Sequence, residues 1–312
     1  MAPSRAVQPL RALRQLSRAA TPSAPRAAAC LFSTKRTVDL AFDHHVPEAG
    51  REKADFSATS APIVFMHGLF GSRKNNRTVS KVLARELGRH VYTVDLRNHG
   101  DSPHDPEHSY SAMAGDVAAF LDRHGLRDPT LVGHSMGAKT AMALALAEPA
   151  LVRDFVSVDN APLDAQLGSD FGKYIQGMKR IDAAGVTKQS EADKILAEYE
   201  KDLPVRQFLL GNLHRPQGST QQKFKVPLGI ISKELDNMGD FPFRDPEQAR
   251  FEKPALFVRG TKSKYVPDEA IPLIGRFFPR FQMVDIDAGH WVISEKPEPF
   301  LKAVIEFLTP KE

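Results

Sequence analysis

A five-residue stretch, Gly133-His134-Ser135-Met136-Gly137, constrains this chain more than any other part of its sequence. An uncharged, mainly apolar run at residues 129–133 leads into it and predicts a buried strand, and the helix-forming residues 141–147 follow. A G-x-S-x-G pattern between a strand and a helix predicts a nucleophile elbow, a sharp turn that exposes a serine hydroxyl. Glycine on both sides lets the strand and the helix approach closely around that serine. Ser135 is therefore the candidate nucleophile.

The composition is that of a globular enzyme. Of the 312 residues, 42% are hydrophobic and 26% are charged, which is typical of globular chains with one large or two small domains. No apolar run approaches the roughly 18 residues that span a bilayer, so we expect no transmembrane segment. Cys30 is the only cysteine, which excludes disulfides within the chain and thiolate metal sites. With a single cysteine and no phosphate-loop match at 68–74, we expect no metal and no cofactor.

The first 36 residues differ from the rest of the chain in charge. They contain seven basic residues and no acidic residue, and on a helix Leu10, Leu13 and Leu16 would share one side. This composition predicts a mitochondrial transit peptide that is bound by the import machinery, with the mature protein in the matrix; a disordered basic tail is the alternative. Residues 37–312 carry 35 basic and 38 acidic residues, so nothing argues for nucleic acid as a partner.

Beyond this segment, short apolar stretches alternate with helix-forming stretches. The apolar stretches predict strands at residues 37–42, 62–66, 90–95, 130–133, 154–159, 254–260 and 281–286. Helices are predicted after the elbow and at residues 78–87, 110–124, 271–278 and 297–308. This alternation predicts an α/β fold with a mostly parallel central sheet and helices on both faces. Functional groups in such sheets collect at the C-terminal ends of the strands.

Residues 161–250 interrupt this alternation. They predict helices at 171–183, 191–203 and 205–213 and no clean buried strand. We interpret them as a helical cap inserted into one α/β core, which consists of residues 37–160 and 251–312. Apolar side chains of the cap and of the loops near the elbow are the candidate substrate-binding residues, although they would fit core packing as well: Phe70, Phe171, Tyr174, Met178 and Trp291.

A serine hydroxyl becomes a good nucleophile only when a base takes its proton. His290 is the candidate base, because the small-residue turn 288–291 directly follows the last predicted strand. His134 adjoins the serine in sequence, but its side chain should point away from it. His99 lies on a different loop. We therefore prefer His290 to both alternatives.

The tetrahedral oxyanion of acyl transfer needs two backbone N–H donors. The residue after the nucleophile, Met136, is expected to supply one of them. The loop after the strand at 62–66 is expected to supply the other, from Leu69 or otherwise from Phe70.

A carboxylate must orient the base. Asp159 ends the predicted strand 154–159 and begins a turn, which places it at the C-terminal edge of the sheet near His290. Other acids are expected to cap a helix, to face solvent or to lack a strand that positions them: Asp268, Asp285, Asp287, Asp236 and Asp240.

Five motifs together resemble the α/β-hydrolase superfamily from about residue 37 to 308. They are HGLFGS at 67–72, DLRNHGDS at 95–102, GHSMG at 133–137, VD at 158–159 and AGHW at 288–291. In combination they are similar to the abhydrolase-domain-containing protein eleven group, which includes mitochondrial proteins, small bacterial esterases and yeast ethanol acetyltransferases. A glycine that is common after the elbow in this group is replaced by Ala138. The resemblance implies an α/β-hydrolase fold with a cap.

The resemblance also bears on the acid. In most α/β-hydrolases it stands three residues before a Val-Pro pair, and here Ser263 stands three residues before Val266-Pro267. Serine carries no charge, so we expect this acid position to be vacant. Bacterial and yeast relatives take the acid from the position that matches Asp159. An acid assigned within the cap of mammalian members has no carboxylate counterpart at residues 226–230.

These observations predict a mitochondrial serine hydrolase that cleaves a small-molecule carboxylic ester or thioester through an acyl-Ser135 intermediate. His290 would be the general base and Asp159 would orient it. An alcohol acyltransferase that uses the same acyl-enzyme is the first alternative. A non-catalytic binding protein on the same fold is the second.

Overall fold

The computed structural model describes residues 36–47, 61–164 and 170–309. The predicted transit peptide therefore lies outside the described residues, except for Arg36. The strands, in chain order, are β1 Phe42–His45, β2 Ile63–Met66, β3 Val91–Val94, β4 Thr130–His134, β5 Asp154–Val158, β6 Leu213–His214, β7 Lys223–Phe224, β8 Ala255–Gly260 and β9 Phe281–Ile286.

Seven of these strands form one sheet in the order β1-β3-β2-β4-β5-β8-β9. The strand β1 is antiparallel to β3, and every other neighbouring pair in the sheet is parallel. The elbow strand β4 lies between β2 and β5, so it is central. The predicted mostly parallel sheet is confirmed.

The first strand differs from its prediction. Residues 37–42 were expected to form it, but only Phe42 belongs to β1, which continues through His44 and His45. The alternating residues Val38 and Leu40 are buried without a strand partner, and the Val38 amide instead donates to Asp116 Oδ1 at 2.8 Å. The alternating apolar residues at 37–42 therefore indicated which side chains are buried, but not that the segment pairs in the sheet.

The helices, in chain order, are α1 Arg77–Leu87, α2 Tyr110–Arg123, α3 Met136–Ala147, α4 Asp170–Ala184, α5 Gln189–Leu196, α6 Leu203–Leu210, α7 Leu228–Glu234, α8 Ile271–Phe277, α9 Val292–Glu295 and α10 Pro297–Leu308. Short 3-10 helices occur at Arg73–Asn76, Asp236–Met238 and Asp268–Ala270. Of the described helices, none is both long and apolar enough to cross a membrane.

Both faces of the sheet are covered. Val156 and Val158 of β5 belong to a core cluster with side chains of α1 and α10. Phe155 directly precedes Val156 in the strand and so points to the other face, where its ring contacts those of Phe251 and Phe278. A sheet that is buried on both faces needs apolar strands, which explains why the central strands lack an alternating pattern.

The chain between β5 and β8 contains the four helices α4–α7 and the hairpin β6–β7. The hairpin was not expected from the sequence, because its strands have two residues each and carry no apolar run. Polar contacts join this segment to the loops and helices around the elbow. Tyr110 Oη donates to Met238 O at 2.8 Å, and Lys139 Nζ donates to Gly239 O at 2.7 Å. Burial lowers the pKa of Lys139 to about 8.

Candidate active site

The predicted elbow is present as a strained turn between β4 and α3. Ser135 has φ 54° and ψ −112°, a left-handed backbone that a non-glycine residue adopts only under constraint. Its amide donates to Val158 O at 2.9 Å, which ties the turn to β5. A Cβ atom on Gly137 would lie 2.6 Å from Met66 O, and one on Gly133 would overlap the Gly137 carbonyl. The elbow therefore requires glycine at both positions because the strand and the helix are in contact there.

Ser135, His290 and Asp159 form a continuous hydrogen-bonded chain. His290 Nε2 lies 2.9 Å from Ser135 Oγ, and His290 Nδ1 lies 2.7 Å from Asp159 Oδ2. Asp159 is fully buried, and Ser135 is 7% exposed. These distances allow the imidazole to accept the serine proton at one nitrogen while the carboxylate holds the proton on the other. The three residues selected from the sequence as nucleophile, base and acid are thus brought together.

The carboxylate of Asp159 has further donors. Its Oδ1 accepts from the Gly260 amide at 2.9 Å, and its Oδ2 accepts from the Ser263 hydroxyl as well as from His290. The Tyr265 amide donates to Ser263 Oγ at 3.2 Å and so orients that hydroxyl. The position expected to be vacant is therefore occupied by a hydrogen-bond donor to the carboxylate. Ser263 follows β8 and Asp159 follows β5, and these two strands are neighbours in the sheet. The position of each residue just after a predicted strand was the signal in the sequence that could have indicated this contact.

The other candidate acids have partners elsewhere. Asp268 and Asp285 both pair with Arg259, at 2.5 and 2.8 Å. Asp287 pairs with Lys262 at 2.8 Å, and Asp240 with Arg244 at 2.5 Å. Asp236 begins the 3-10 helix Asp236–Met238. Asp268 was expected to cap a helix, but the residue before the helix Asp268–Ala270 is Pro267.

Aromatic rings surround the candidate base. Tyr265 stacks on His290, with ring centroids 3.9 Å apart and an angle of 20° between the planes. Burial and the nearby Asp159 raise the pKa of Tyr265 to about 12, so its hydroxyl stays protonated. His134 points away from Ser135, as expected, and its Nε2 donates to His290 O at 2.8 Å. Burial lowers the pKa of His134 to about 4, so it is a neutral support for the turn that carries His290.

Residues 67–71, termed the oxyanion loop here, follow β2 and face the start of α3. Among the described residues, no group accepts a hydrogen bond from the Leu69 or the Met136 amide. Met136 is the first residue of α3, where an N–H has no acceptor within the helix. The Phe70 amide, the alternative donor, instead donates to His99 Nε2 at 3.1 Å. Of the three predicted donors, Leu69 and Met136 therefore keep amides that are free to bind an oxyanion.

Three buried histidines, termed the buried histidine cluster, lie in this loop and next to it: His67, His99 and His108. His67 Nε2 accepts from the Leu96 amide at 3.0 Å, and its Nδ1 donates to Gly68 O at 2.8 Å. Burial lowers the pKa of His67 to about 4 and that of His108 well below its usual range. In the sequence, His67 and His99 stood out only as parts of two motifs and His99 as a less favoured base, since nothing in the pattern shows that three imidazoles meet.

The candidate substrate-binding residues fall into two groups. Phe70, Phe171 and Tyr174 form a row of rings with centroid distances of 6.1 and 5.8 Å, and Met178 is fully buried. Trp291 lies apart from this row. It contacts Phe208, with centroids 4.5 Å apart, and helps to line a cavity of about 320 Å³. The other lining side chains include Val79, His134, Ile293 and Pro297.

Known proteins show the same fold and similar sequences. The family model for the alpha/beta hydrolase fold matches residues 61–297. An abhydrolase domain-containing protein of Schizosaccharomyces pombe is 43% identical over 257 residues, which cover 81% of this chain and 95% of that protein. A probable alcohol acetyltransferase of Saccharomyces cerevisiae is 38% identical, over 88% of this chain and 84% of its own length.

Two further relatives act on esters according to their names. The sn-1-specific diacylglycerol lipase ABHD11 of Mus musculus is 41% identical, over 81% of this chain and 83% of its own. The solved structure of a marine microorganism esterase superposes with a TM-score of 0.78 at 30% identity, and it covers 87% of this chain and 100% of that one. The resemblance stated from the motifs is thereby confirmed. This chain belongs to the α/β-hydrolase fold family.

Proposed function

We propose that this chain is a serine hydrolase that cleaves carboxylic esters or thioesters through an acyl-Ser135 intermediate. The observation that carries the proposal is the hydrogen-bonded chain from Ser135 Oγ through His290 to the buried Asp159. In this family such an arrangement converts a weak nucleophile into a strong one. The names of the lipase, acetyltransferase and esterase relatives agree with ester substrates.

Acylation follows from the geometry. Ser135 Oγ attacks the ester carbonyl while His290 Nε2 takes its proton, and Asp159 stabilises the imidazolium. The oxyanion is held by the amides of Leu69 and Met136, the latter at the positive end of α3. His290 then gives its proton to the departing alkoxide or thiolate, which leaves acyl-Ser135.

A second molecule completes the cycle by attacking the acyl group with His290 as base. Water gives hydrolysis and an alcohol gives ester synthesis, so one acyl-enzyme supports both reactions. We keep alcohol acyl transfer as a second candidate function because the chain is 38% identical to the probable alcohol acetyltransferase over 291 residues.

A covalent probe tests the proposal. A fluorophosphonate should label the wild-type protein, and Ser135→Ala should abolish labelling and lower kcat for p-nitrophenyl acetate by roughly 10⁶-fold. The Ser157→Ala variant, at another buried serine, is a control that should still be labelled. Folded wild-type protein that resists labelling would instead support the non-catalytic alternative.

The two candidate functions differ in whether the acyl group is transferred to water or to an alcohol, so measuring both products distinguishes them. The purified protein is incubated with ethyl hexanoate or hexanoyl thioester, with and without added propanol, and the acid and the new propyl ester are measured. A hydrolase gives mainly acid in both conditions. An acyltransferase gives propyl ester in proportion to the alcohol, at the expense of acid.

We further propose that residues 1–36 direct the protein to the mitochondrial matrix and that residues 161–250 form the cap over the site. Seven basic residues without an acidic one support the first part. A fluorescent protein fused behind residues 1–36 should enter mitochondria, and one fused behind a variant with five of the arginines changed to glutamate should remain outside.

The proposal that residues 161–250 form the cap over the site is supported by hydrogen bonds from Lys139 and Tyr110 to residues 238–239.

A further inference from the structure

Leu69 and Phe70 are consecutive in the oxyanion loop, and the backbone N–H of either one could serve an oxyanion. The Phe70 amide donates to His99 Nε2 at 3.1 Å. Because a backbone N–H can only donate, His99 Nε2 must be the unprotonated ring nitrogen. The proton is then on Nδ1, which donates to Arg97 O at 2.9 Å.

His99 is held at both ends of its ring by a rigid turn. The Arg97 side chain is fully buried and pairs with Asp116, with Nε 2.6 Å from Oδ2, so the carbonyl of Arg97 is fixed in place. On the other side, Asn98 exchanges two hydrogen bonds with the backbone of Asp105, at 2.9 and 2.8 Å. The imidazole therefore cannot swing away from Phe70 without breaking buried contacts.

The ring is also held in one protonation state. His99 is fully buried, and burial together with the nearby His67 lowers its pKa to about 3. Nε2 therefore remains a hydrogen-bond acceptor at neutral and at mildly acidic pH. A protonated ring would point a second N–H at the Phe70 amide and would repel it.

The carbonyl of Phe70 is engaged as well, since it accepts from Asn212 Nδ2 at 2.6 Å. Phe70 has φ 62°, so the loop is held in a left-handed turn while both of its polar groups point at partners outside the site. The Leu69 amide, one residue earlier, has no acceptor among the described residues. The peptide unit between the two residues is planar, so the hydrogen bond of the Phe70 N–H also fixes the direction of the Leu69 carbonyl.

We propose that His99 is a positioning residue of the oxyanion hole: by accepting the Phe70 N–H, it turns that amide away from the reacting carbonyl and leaves the Leu69 N–H as the donor. This inference rests on the proposed function, because an oxyanion must form at Ser135. The fold alone does not require a histidine at position 99, since a leucine could fill a similar volume without accepting a hydrogen bond.

The test compares three variants with wild-type protein in p-nitrophenyl acetate hydrolysis. His99→Leu removes the acceptor, and His99→Gln restores one through its side-chain carbonyl. His108→Leu is the matched control, since His108 is equally buried in the same cluster, with its ring 5.6 Å from that of His99 and its Nδ1 bonded to Asn98 Nδ2.

We expect His99→Leu to lower kcat by about 10- to 100-fold with KM changed less than about twofold, because the oxyanion contact strengthens only in the transition state. His99→Gln should recover most of this loss. His108→Leu should lower the melting temperature as much as His99→Leu does but keep kcat within about twofold of wild type. Equal kcat for the two leucine variants would overturn the inference.

Amide hydrogen exchange tests the bond without relying on turnover. The Phe70 amide should be protected in wild type and in His108→Leu, and it should exchange at least about tenfold faster in His99→Leu. Unchanged protection in His99→Leu would overturn the inference even if the enzyme is active. If wild-type protein shows no turnover that depends on Ser135, the proposed function fails, and with it the catalytic part of this inference.

Discussion

Two regions at the C-terminal edge of the sheet use histidine in different ways. His290, beyond β9, lies between a hydroxyl and a carboxylate, at 2.9 and 2.7 Å. His67 and His99, in the loops after β2 and β3, each lie between a backbone amide and a backbone carbonyl. The same imidazole is therefore placed to move a proton in the first region and to join two loops in the second.

The difference follows from the partners. A hydroxyl and a carboxylate can exchange a proton with the ring or stabilise its charge, whereas backbone groups bind only the neutral ring in one tautomer. Burial then lowers the pKa of His67 to about 4 and that of His99 to about 3. A histidine is therefore identified as a base by the groups to which it is hydrogen-bonded, and not by its residue type alone.

The largest expected effect on activity comes from changing Asp159, the carboxylate that distinguishes the surroundings of His290 from those of His67 and His99. Asp159→Asn should lower kcat by about 10⁴-fold, because the amide favours the wrong tautomer and cannot stabilise the imidazolium. Stopped-flow or steady-state hydrolysis of p-nitrophenyl acetate measures it. Asp236→Asn, in the 3-10 helix at Asp236–Met238, is the control and should stay within about twofold of wild type. If Asp236→Asn alone loses activity, the acid is wrongly assigned.

The second prediction concerns the turn that carries His99. Gly100 has φ 56°, and a Cβ there would overlap the carboxylate of Asp95. Gly100→Ala should lower the free energy of unfolding by about 3 kcal/mol, from backbone strain plus the steric clash. Gly125, with φ 62° and nothing within 4 Å of a Cβ, is the matched control.

Gly125→Ala should lower the free energy of unfolding by only about 1 kcal/mol, since backbone strain acts there alone. Urea denaturation of the two variants measures the difference. Equal losses would mean that the turn at Gly100 relaxes around the new methyl group, and the rigid support assigned to His99 would be wrong.

The third prediction concerns Ser263, the hydroxyl that supports the carboxylate. Ser263→Ala should lower kcat by about tenfold and leave KM nearly unchanged, because a charge-assisted hydrogen bond to Asp159 is lost while the Gly260 amide remains. In the Asp159→Asn background the same change should have little further effect, since the two residues act as a unit. Fully additive losses would show that Ser263 acts independently of Asp159.

The smallest expected effect is on the pH dependence of stability. The pKa of His108 is lowered well below its usual range by burial, so below about pH 6.5 the unfolded chain takes up a proton that the native chain does not. Unfolding is therefore favoured as the pH falls. From pH 7.5 to 5.5 this group should reduce wild-type stability by about 1 kcal/mol, and His108→Leu should lack that part of the decrease. Urea titrations of both proteins at the two pH values measure the free energy of unfolding. An equal decrease from pH 7.5 to 5.5 in wild type and in His108→Leu would contradict the prediction.

Much of the fold and of the candidate site followed from local patterns. The elbow needs two glycines and a serine in fixed order, and buried parallel strands need short apolar runs, so both are visible in the sequence. Because each predicted strand end lies at one edge of such a sheet, Asp159 and His290 could be placed near Ser135 before their distances were known.

Other features depended on contacts that no local pattern encodes. Val38 and Leu40 alternate as in a strand, yet they pack without a strand partner, because burial and sheet pairing produce the same periodicity. The two-residue strands of the hairpin β6–β7 are too short to leave a pattern. The early end of the predicted helix 191–203, which stops at Leu196 as α5, was also not visible in its composition.

The sequence by itself determined the family, the reaction class to be tested and the three candidate residues at the strand ends, since each depends on residue type and order. Only the tertiary structure decided how their neighbours act. It brought the Ser263 hydroxyl to the Asp159 carboxylate across 104 positions and the His99 ring to the Phe70 amide across 29. Such contacts depend on the register of neighbouring strands and on the shape of the loops that follow them, which is set by packing of the whole sheet.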